Sequence, residues 1–119
     1  MALTVYGYKN CNTCRKAWSW LDSHGVDHER RPIREEPPSR EALEQAWRAS
    51  GLPLKRFFNT SGGSYREGGW SDKLKAGIAE KEQLDALAAD PMLLKRPLVI
   101  GDGVVLVGFK EKEWEVLLG

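Results

Sequence analysis

Tyr6-Gly7-Tyr8-Lys9-Asn10-Cys11-Asn12-Thr13-Cys14-Arg15-Lys16-Ala17-Trp18 is the stretch on which the reading of this chain turns. Just before it, Leu3-Thr4-Val5-Tyr6 is a β-branched and aromatic run, the signature of a short strand. Just after it, Cys14, Ala17, Trp18 and Leu21 recur at i, i+3, i+4 and i+7, one face of an amphipathic helix. The two cysteines therefore fall at a strand-to-helix turn, with Cys11 near the helix N-terminus. Unpaired backbone N–H groups and the positive end of the helix dipole favour a thiolate there over a thiol. Lys9, Arg15 and Lys16 add positive charge nearby. Cys11 is thus a candidate nucleophile, and Cys14 a second cysteine within reach to resolve its adducts.

A chain of 119 residues, 41% hydrophobic and 29% charged, fits one soluble globular domain spanning residues 1–119. Its net charge of +1 supplies no global attraction to nucleic acid or to an anionic membrane, so neither is expected as a direct partner. No apolar run approaches a membrane span, and residues 1–10 lack a signal-peptide pattern, so the cytoplasm is the expected location. In a reducing compartment a lone Cys-x-x-Cys reads as catalytic, redox-sensing or metal-binding rather than as a structural staple. A zinc site would borrow His24 and His28, but only nine residues separate Cys14 from His24. That is shorter than the gap of about 12 typical of paired cysteines and histidines. Gly25 also interrupts any helix that would present both imidazoles on one face. Neither a metal nor an organic cofactor is expected.

Along the rest of the chain, His24-Gly25-Val26 caps the first helix, and 27–33 reads as a polar second strand near a sheet edge. The strand, helix and strand make a βαβ unit with two parallel strands. Ser39 is a candidate N-cap for a helix to about Ser50, with Leu43, Ala46 and Trp47 inward. The middle, 54–77, is the least regular part: Leu54, Phe57 and Phe58 suggest one helical turn, and 59–64 a polar loop. Helix returns over about 79–89 through Leu84, Leu87 and Ala88, closed by Asp90-Pro91. Leu98-Val99-Ile100 and Val104-Val105-Leu106-Val107 flank Gly101-Asp102-Gly103, a hairpin signal. The last helix, 110–118, is expected to bury Trp114, Leu117 and Leu118. The order β-α-β, helical insert (about 39–90), β-β-α predicts an α/β, thioredoxin-like fold: a four-stranded mixed sheet flanked by helices. Such a fold opens its third strand with a proline, and a cis Arg96–Pro97 bond is expected beside the cysteines.

The chain resembles the arsenate-reductase-like branch of the thioredoxin superfamily, which includes Spx-type regulators. The residues that carry the likeness are 6–17, then Phe58-Asn59-Thr60-Ser61-Gly62 with Tyr65-Arg66, then Pro91-Met92-Leu93-Leu94-Lys95-Arg96-Pro97, and Val107-Gly108-Phe109. The resemblance implies that Cys11 is the nucleophile and that Arg96, before the strand-opening proline, orients an anionic group on the substrate. Glutaredoxin-dependent arsenate reductases hold the oxyanion with three arginines; here Asn59 and Gly108 stand where the other two belong. Each such charge-assisted contact contributes about 1.5–3 kcal/mol. Arsenate reduction is accordingly the least expected activity, and would need Arg66 or another basic residue as a substitute.

The leading expectation is a thiol–disulfide oxidoreductase: Cys11 attacks, Cys14 resolves, and a thiol reductant such as glutathione, glutaredoxin or thioredoxin serves as co-substrate. Cys11, Cys14 and Arg96 are the expected catalytic residues. Lys9, Asn12, Thr13, Asn59 and Pro97 are the expected substrate contacts, and the substrate a small-molecule or protein disulfide met by a monomer. The alternative, implied by the likeness to Spx-type proteins, is a redox-sensing transcriptional regulator that binds RNA polymerase.

Overall fold

A computed structural model describes residues 3–101 and 103–119; Asp102, the centre of the expected hairpin turn, lies outside the described residues. The apolar runs read as strands are strands. β1 (Leu3–Gly7) pairs in parallel with β2 (Glu29–Pro32) and antiparallel with β3 (Leu98–Gly101), which pairs antiparallel with β4 (Val104–Val107). The order β2-β1-β3-β4 makes the mixed, thioredoxin-like sheet, with β2 at an edge. β2 is shorter than the 27–33 run because only Glu29–Pro32 find partners on β1. Ile33 still donates its N–H to the Gly7 carbonyl at 2.8 Å and is fully buried.

The sheet is covered on both faces, as strand alternation requires. On one face Leu3, Val5, Val99 and Leu106 pack against α1 (Asn12–Ser23) and α6 (Glu111–Leu118) through Ala17, Trp20, Leu21 and Trp114. On the other, Tyr6, Leu98 and Val107 meet the helical insert, through residues such as Leu43, Phe57, Phe58 and Leu87. The insert contains α2 (Arg40–Ser50), capped by the Ser39 hydroxyl, and α5 (Glu80–Ala89). Asp90 then caps the 3-10 turn Pro91–Leu93.

Three sequence expectations change. The region 54–77 is more regular than it reads: after the 3-10 turn Leu54–Phe57 come α3 (Gly63–Glu67) and α4 (Trp70–Lys75). These helices are too short to show a periodicity, and Gly62, Gly63, Gly68 and Gly69 argue for loop. They are held by tertiary packing instead, Tyr65 and Trp70 lying 6.3 and 5.2 Å from the Phe58 ring. On α1 the deeply buried aromatic is Trp20, and Trp18 is only half-buried. Trp18 packs against Gly7, where a Cβ would meet its ring at 2.6 Å, so close approach of helix to strand needs glycine there. On α6, Leu117 is 51% exposed rather than buried. At about 3.6 residues per turn Leu118, not Leu117, returns to the face of Trp114.

Trp114 anchors α6. Its side chain is fully buried, its Nε1 donates to the Gly108 carbonyl at 3.2 Å, and its ring meets Phe109 and Trp20 edge-on at 4.9 and 5.8 Å. Trp114→Ala is expected to cost about 3–5 kcal/mol of folding stability, read as a lowered urea midpoint.

Candidate active site around Cys11

Cys11 is the N-cap of α1. Its backbone is extended (φ −102°, ψ 114°), and its sulfur accepts the Cys14 backbone N–H at 3.4 Å. The cap position usually belongs to Ser, Thr, Asp or Asn, whose oxygen satisfies one of the orphan N–H groups of the first turn. A sulfur in that place receives the same donors, and they favour its negative form. The turn itself is tied down by the Cys11 N–H donating to the Tyr8 carbonyl at 3.0 Å. Cys11 is partly exposed, whereas Cys14 is fully buried one helical turn on; neither is in a disulfide.

The two thiols differ sharply in acidity. Burial by itself would raise the Cys11 pKa. Hydrogen bonds from the Cys14 thiol and from the Cys14 and Thr13 N–H groups, with the Arg96 charge, outweigh it and leave Cys11 more acidic than an ordinary cysteine. Burial, and then the bond to Cys11 and its negative charge, push Cys14 up to about 12. The pair thus sets a partly exposed, more acidic thiol above a buried, protonated one.

Arg96 precedes Pro97 across a cis peptide bond, just before β3. Its Nη1 donates to the Met92 and Leu94 carbonyls at 3.1 and 3.4 Å, and its guanidinium lies 5.8 Å from the Tyr8 ring centroid. Its Nε is buried without a protein acceptor among the described residues. Arg96, rather than Lys9, is the cation that acts on Cys11. Pro97 is buried and holds the next segment through its carbonyl, which accepts the Gly108 N–H at 2.8 Å.

A cleft of about 700 Å³ opens at Cys11 and brings Thr13, Asn59 and Arg96 together with it. Three expected contacts, Lys9, Asn12 and the buried Pro97, do not line it. Lys9 lines a separate groove with Trp18 and Arg31, and its carbonyl accepts from Arg15 Nε at 2.9 Å. Asn12 is exposed in the first turn of α1 and does not line the cleft. Arg66 is also absent from the lining; it donates to the Ser61 carbonyl at 3.0 Å and so braces the loop. Sequence reading missed the basic residues that do line it, Lys55, Arg56, Lys95 and Lys110. No local pattern marks them, since they come from separate segments. The segments meet because Phe58 bridges Leu94, with Asn59 N–H donating to Leu93 and Lys95 N–H to the Phe57 carbonyl, both at 2.8 Å.

His24 and His28 lie beyond the other end of α1. His24 Nδ1 is 2.8 Å from the Trp20 carbonyl, and His28 Nδ1 is 2.8 Å from that of Val26. Among the described residues no cluster of three metal-ligating side chains occurs. No helix among them is long and apolar enough to cross a membrane.

Comparison with known proteins agrees with this architecture. The uncharacterized protein YusI of Bacillus subtilis is 50% identical over 115 residues, covering 97% of each chain. The crystal structure of an ArsC family related protein from Bacteroides fragilis superposes with a TM-score of 0.93, at 44% identity and 98% coverage of each chain. The global transcriptional regulator Spx of Lactiplantibacillus plantarum is 27% identical over 112 residues, covering 92% of this chain and 80% of that protein. The family model described as the ArsC family matches residues 6–117, and the chain belongs to that family.

Proposed function

We propose that the protein is a thiol–disulfide oxidoreductase in which Cys11 is the nucleophile and Cys14 the resolving thiol. The observation that carries this reading is the partly exposed Cys11 sulfur, capping α1 and accepting the Cys14 N–H at 3.4 Å, at the mouth of a cleft that also holds Arg96. The Cys11 thiolate attacks one sulfur of a substrate disulfide; that S–S bond breaks and the other sulfur leaves with the electron pair. Cys14 then gives up its proton and attacks the Cys11 sulfur, releasing the second substrate thiolate and forming a Cys11–Cys14 disulfide. Two electrons have passed from the protein dithiol to the substrate, and an external thiol donor restores them. A buried, high-pKa resolving thiol fits the second step: burial keeps it protonated, and adduct formation on Cys11 removes the further opposition of that sulfur's bond and charge. Thr13 and Asn59 offer hydrogen bonds in the cleft, and Arg96 a charge.

The likeness to Spx favours a second reading, in which oxidation of the same pair alters a surface that binds RNA polymerase. Polymerase pull-down with reduced and oxidised protein separates the two, because capture that follows the redox state of the pair belongs to the regulator reading alone.

In a dithiothreitol-coupled assay with a small disulfide, Cys11→Ser is expected to abolish turnover. With dithiothreitol omitted, Cys14→Ser is expected to accumulate a mixed disulfide on Cys11, seen as a mass adduct. Full activity of the Cys11→Ser protein would refute the mechanism. The acidity order gives a pH test as well. A thiol of lowered pKa is ionised at lower pH, so iodoacetamide should label Cys11 first near neutrality, its rate falling as pH drops through that pKa. Cys14, held near 12, should remain unlabelled in the folded protein. Arg96→Gln removes one stabilising charge and should move the Cys11 labelling midpoint to higher pH.

A further inference from the structure

The cleft at Cys11 is lined by Lys55, Arg56, Lys95, Arg96 and Lys110 and, among the described residues, by no aspartate or glutamate. Over the whole chain 18 Lys and Arg are balanced by 17 Asp and Glu, so this single-sign lining is a local concentration. Lys110 has one long contact to Glu113, at 3.8 Å; among the described residues the salt bridges give the other four no carboxylate. Lys95 is positioned by the fold. Its stem crosses Gly108, which has φ +76°, and a Cβ at that position would stand 3.2 Å from Lys95 Cε. Like charges gathered around one concavity repel each other and focus a positive potential that attracts anions.

The lining also says what the ligand lacks. A substrate carrying an ammonium group, such as an amino-acid or γ-glutamyl disulfide, needs an acidic partner for it. The uncharged polar side chains in the cleft, among them Thr13, Asn59, Thr60 and Ser61, offer none. The volume of about 700 Å³ admits a group of nucleotide size.

We infer that the disulfide attacked by Cys11 carries phosphate: a mixed or symmetric disulfide of a phosphorylated thiol, whose phosphates rest among Lys55, Arg56, Lys95 and Lys110 while Arg96 serves the end nearer the sulfur. The inference rests on the oxidoreductase reading and specifies its substrate class. The redox step is the same dithiol–disulfide exchange: the phosphorylated thiolate is the leaving group, and the dithiol of Cys11 and Cys14 is the reductant.

The test uses reduced protein, freed of added thiol, in single-turnover reactions with coenzyme A disulfide and with pantethine. These share the same reacting end and differ in the phosphorylated portion; glutathione disulfide is the ammonium-bearing control. At low ionic strength the second-order rate constant for coenzyme A disulfide should exceed that for pantethine by about tenfold or more, the range of electrostatic steering. The gap should close near 1 M salt, where the screening length falls to about 3 Å. The double variant Lys55→Gln, Lys95→Gln should narrow it by slowing coenzyme A disulfide more than pantethine. Equal rates for the two, or preference for glutathione disulfide, would overturn the phosphate assignment and leave the oxidoreductase reading standing. Failure of all three to oxidise Cys11 would overturn both.

Discussion

One hydrogen bond organises this molecule's chemistry: the Cys14 backbone N–H donating to the Cys11 sulfur at 3.4 Å. A helix start must find acceptors for its first N–H groups. Here the acceptor is the Cys11 sulfur, so the bond that begins α1 also favours that sulfur's thiolate form. The arrangement depends on where β1 delivers the chain. β1 lies between β2 and β3 in the sheet, and Gly7 at its end lets Trp18 of α1 close down on it. The turn from Tyr8 to Cys11 then has little freedom, and the sulfur emerges at the edge of a cleft rather than inside the core.

The second consequence is an asymmetry between chemically identical side chains. Cys11 and Cys14 are three residues apart, yet one is partly exposed and acidic while the other is fully buried and held near 12. Desolvation penalises charge on both. Only Cys11 receives the compensating donors of the helix start, and its own charge then opposes ionisation of Cys14. In the proposed mechanism this asymmetry assigns attack to Cys11 and resolution to Cys14.

The cleft's charge arises differently. Lys55 and Arg56 come from a 3-10 turn, Lys95 and Arg96 from the approach to β3, and Lys110 from just before α6. The Phe58–Leu94 bridge and its flanking backbone bonds stitch the first two segments together, and the Gly108–Pro97 bond brings up the third. A cation in any one of these places would be an ordinary solvated side chain. Assembled around one concavity they set a field whose sign the overall charge of +1 conceals.

By itself the sequence determined the sheet, the helices longer than two turns and the placing of Cys11 and Cys14 at a helix start. These rest on local periodicity, on caps such as Ser39 and on the spacing of Cys11 and Cys14, all carried by neighbouring residues. It also pointed to Arg96, through its place before Pro97 and the family resemblance. Tertiary structure alone decided the rest. α3 and α4 are too short to announce themselves and exist because Tyr65 and Trp70 pack on Phe58. Trp20 lies deeper than Trp18 because its ring packs against Trp114 and Phe109 while that of Trp18 lies on Gly7. Lys9 and Asn12, near the sulfur in sequence, stay out of the cleft, and lysines more than forty residues away enter it. Local pattern records which residues a helix or strand will bury, whereas the field at a site depends on distances through space that the chain closes only when it folds.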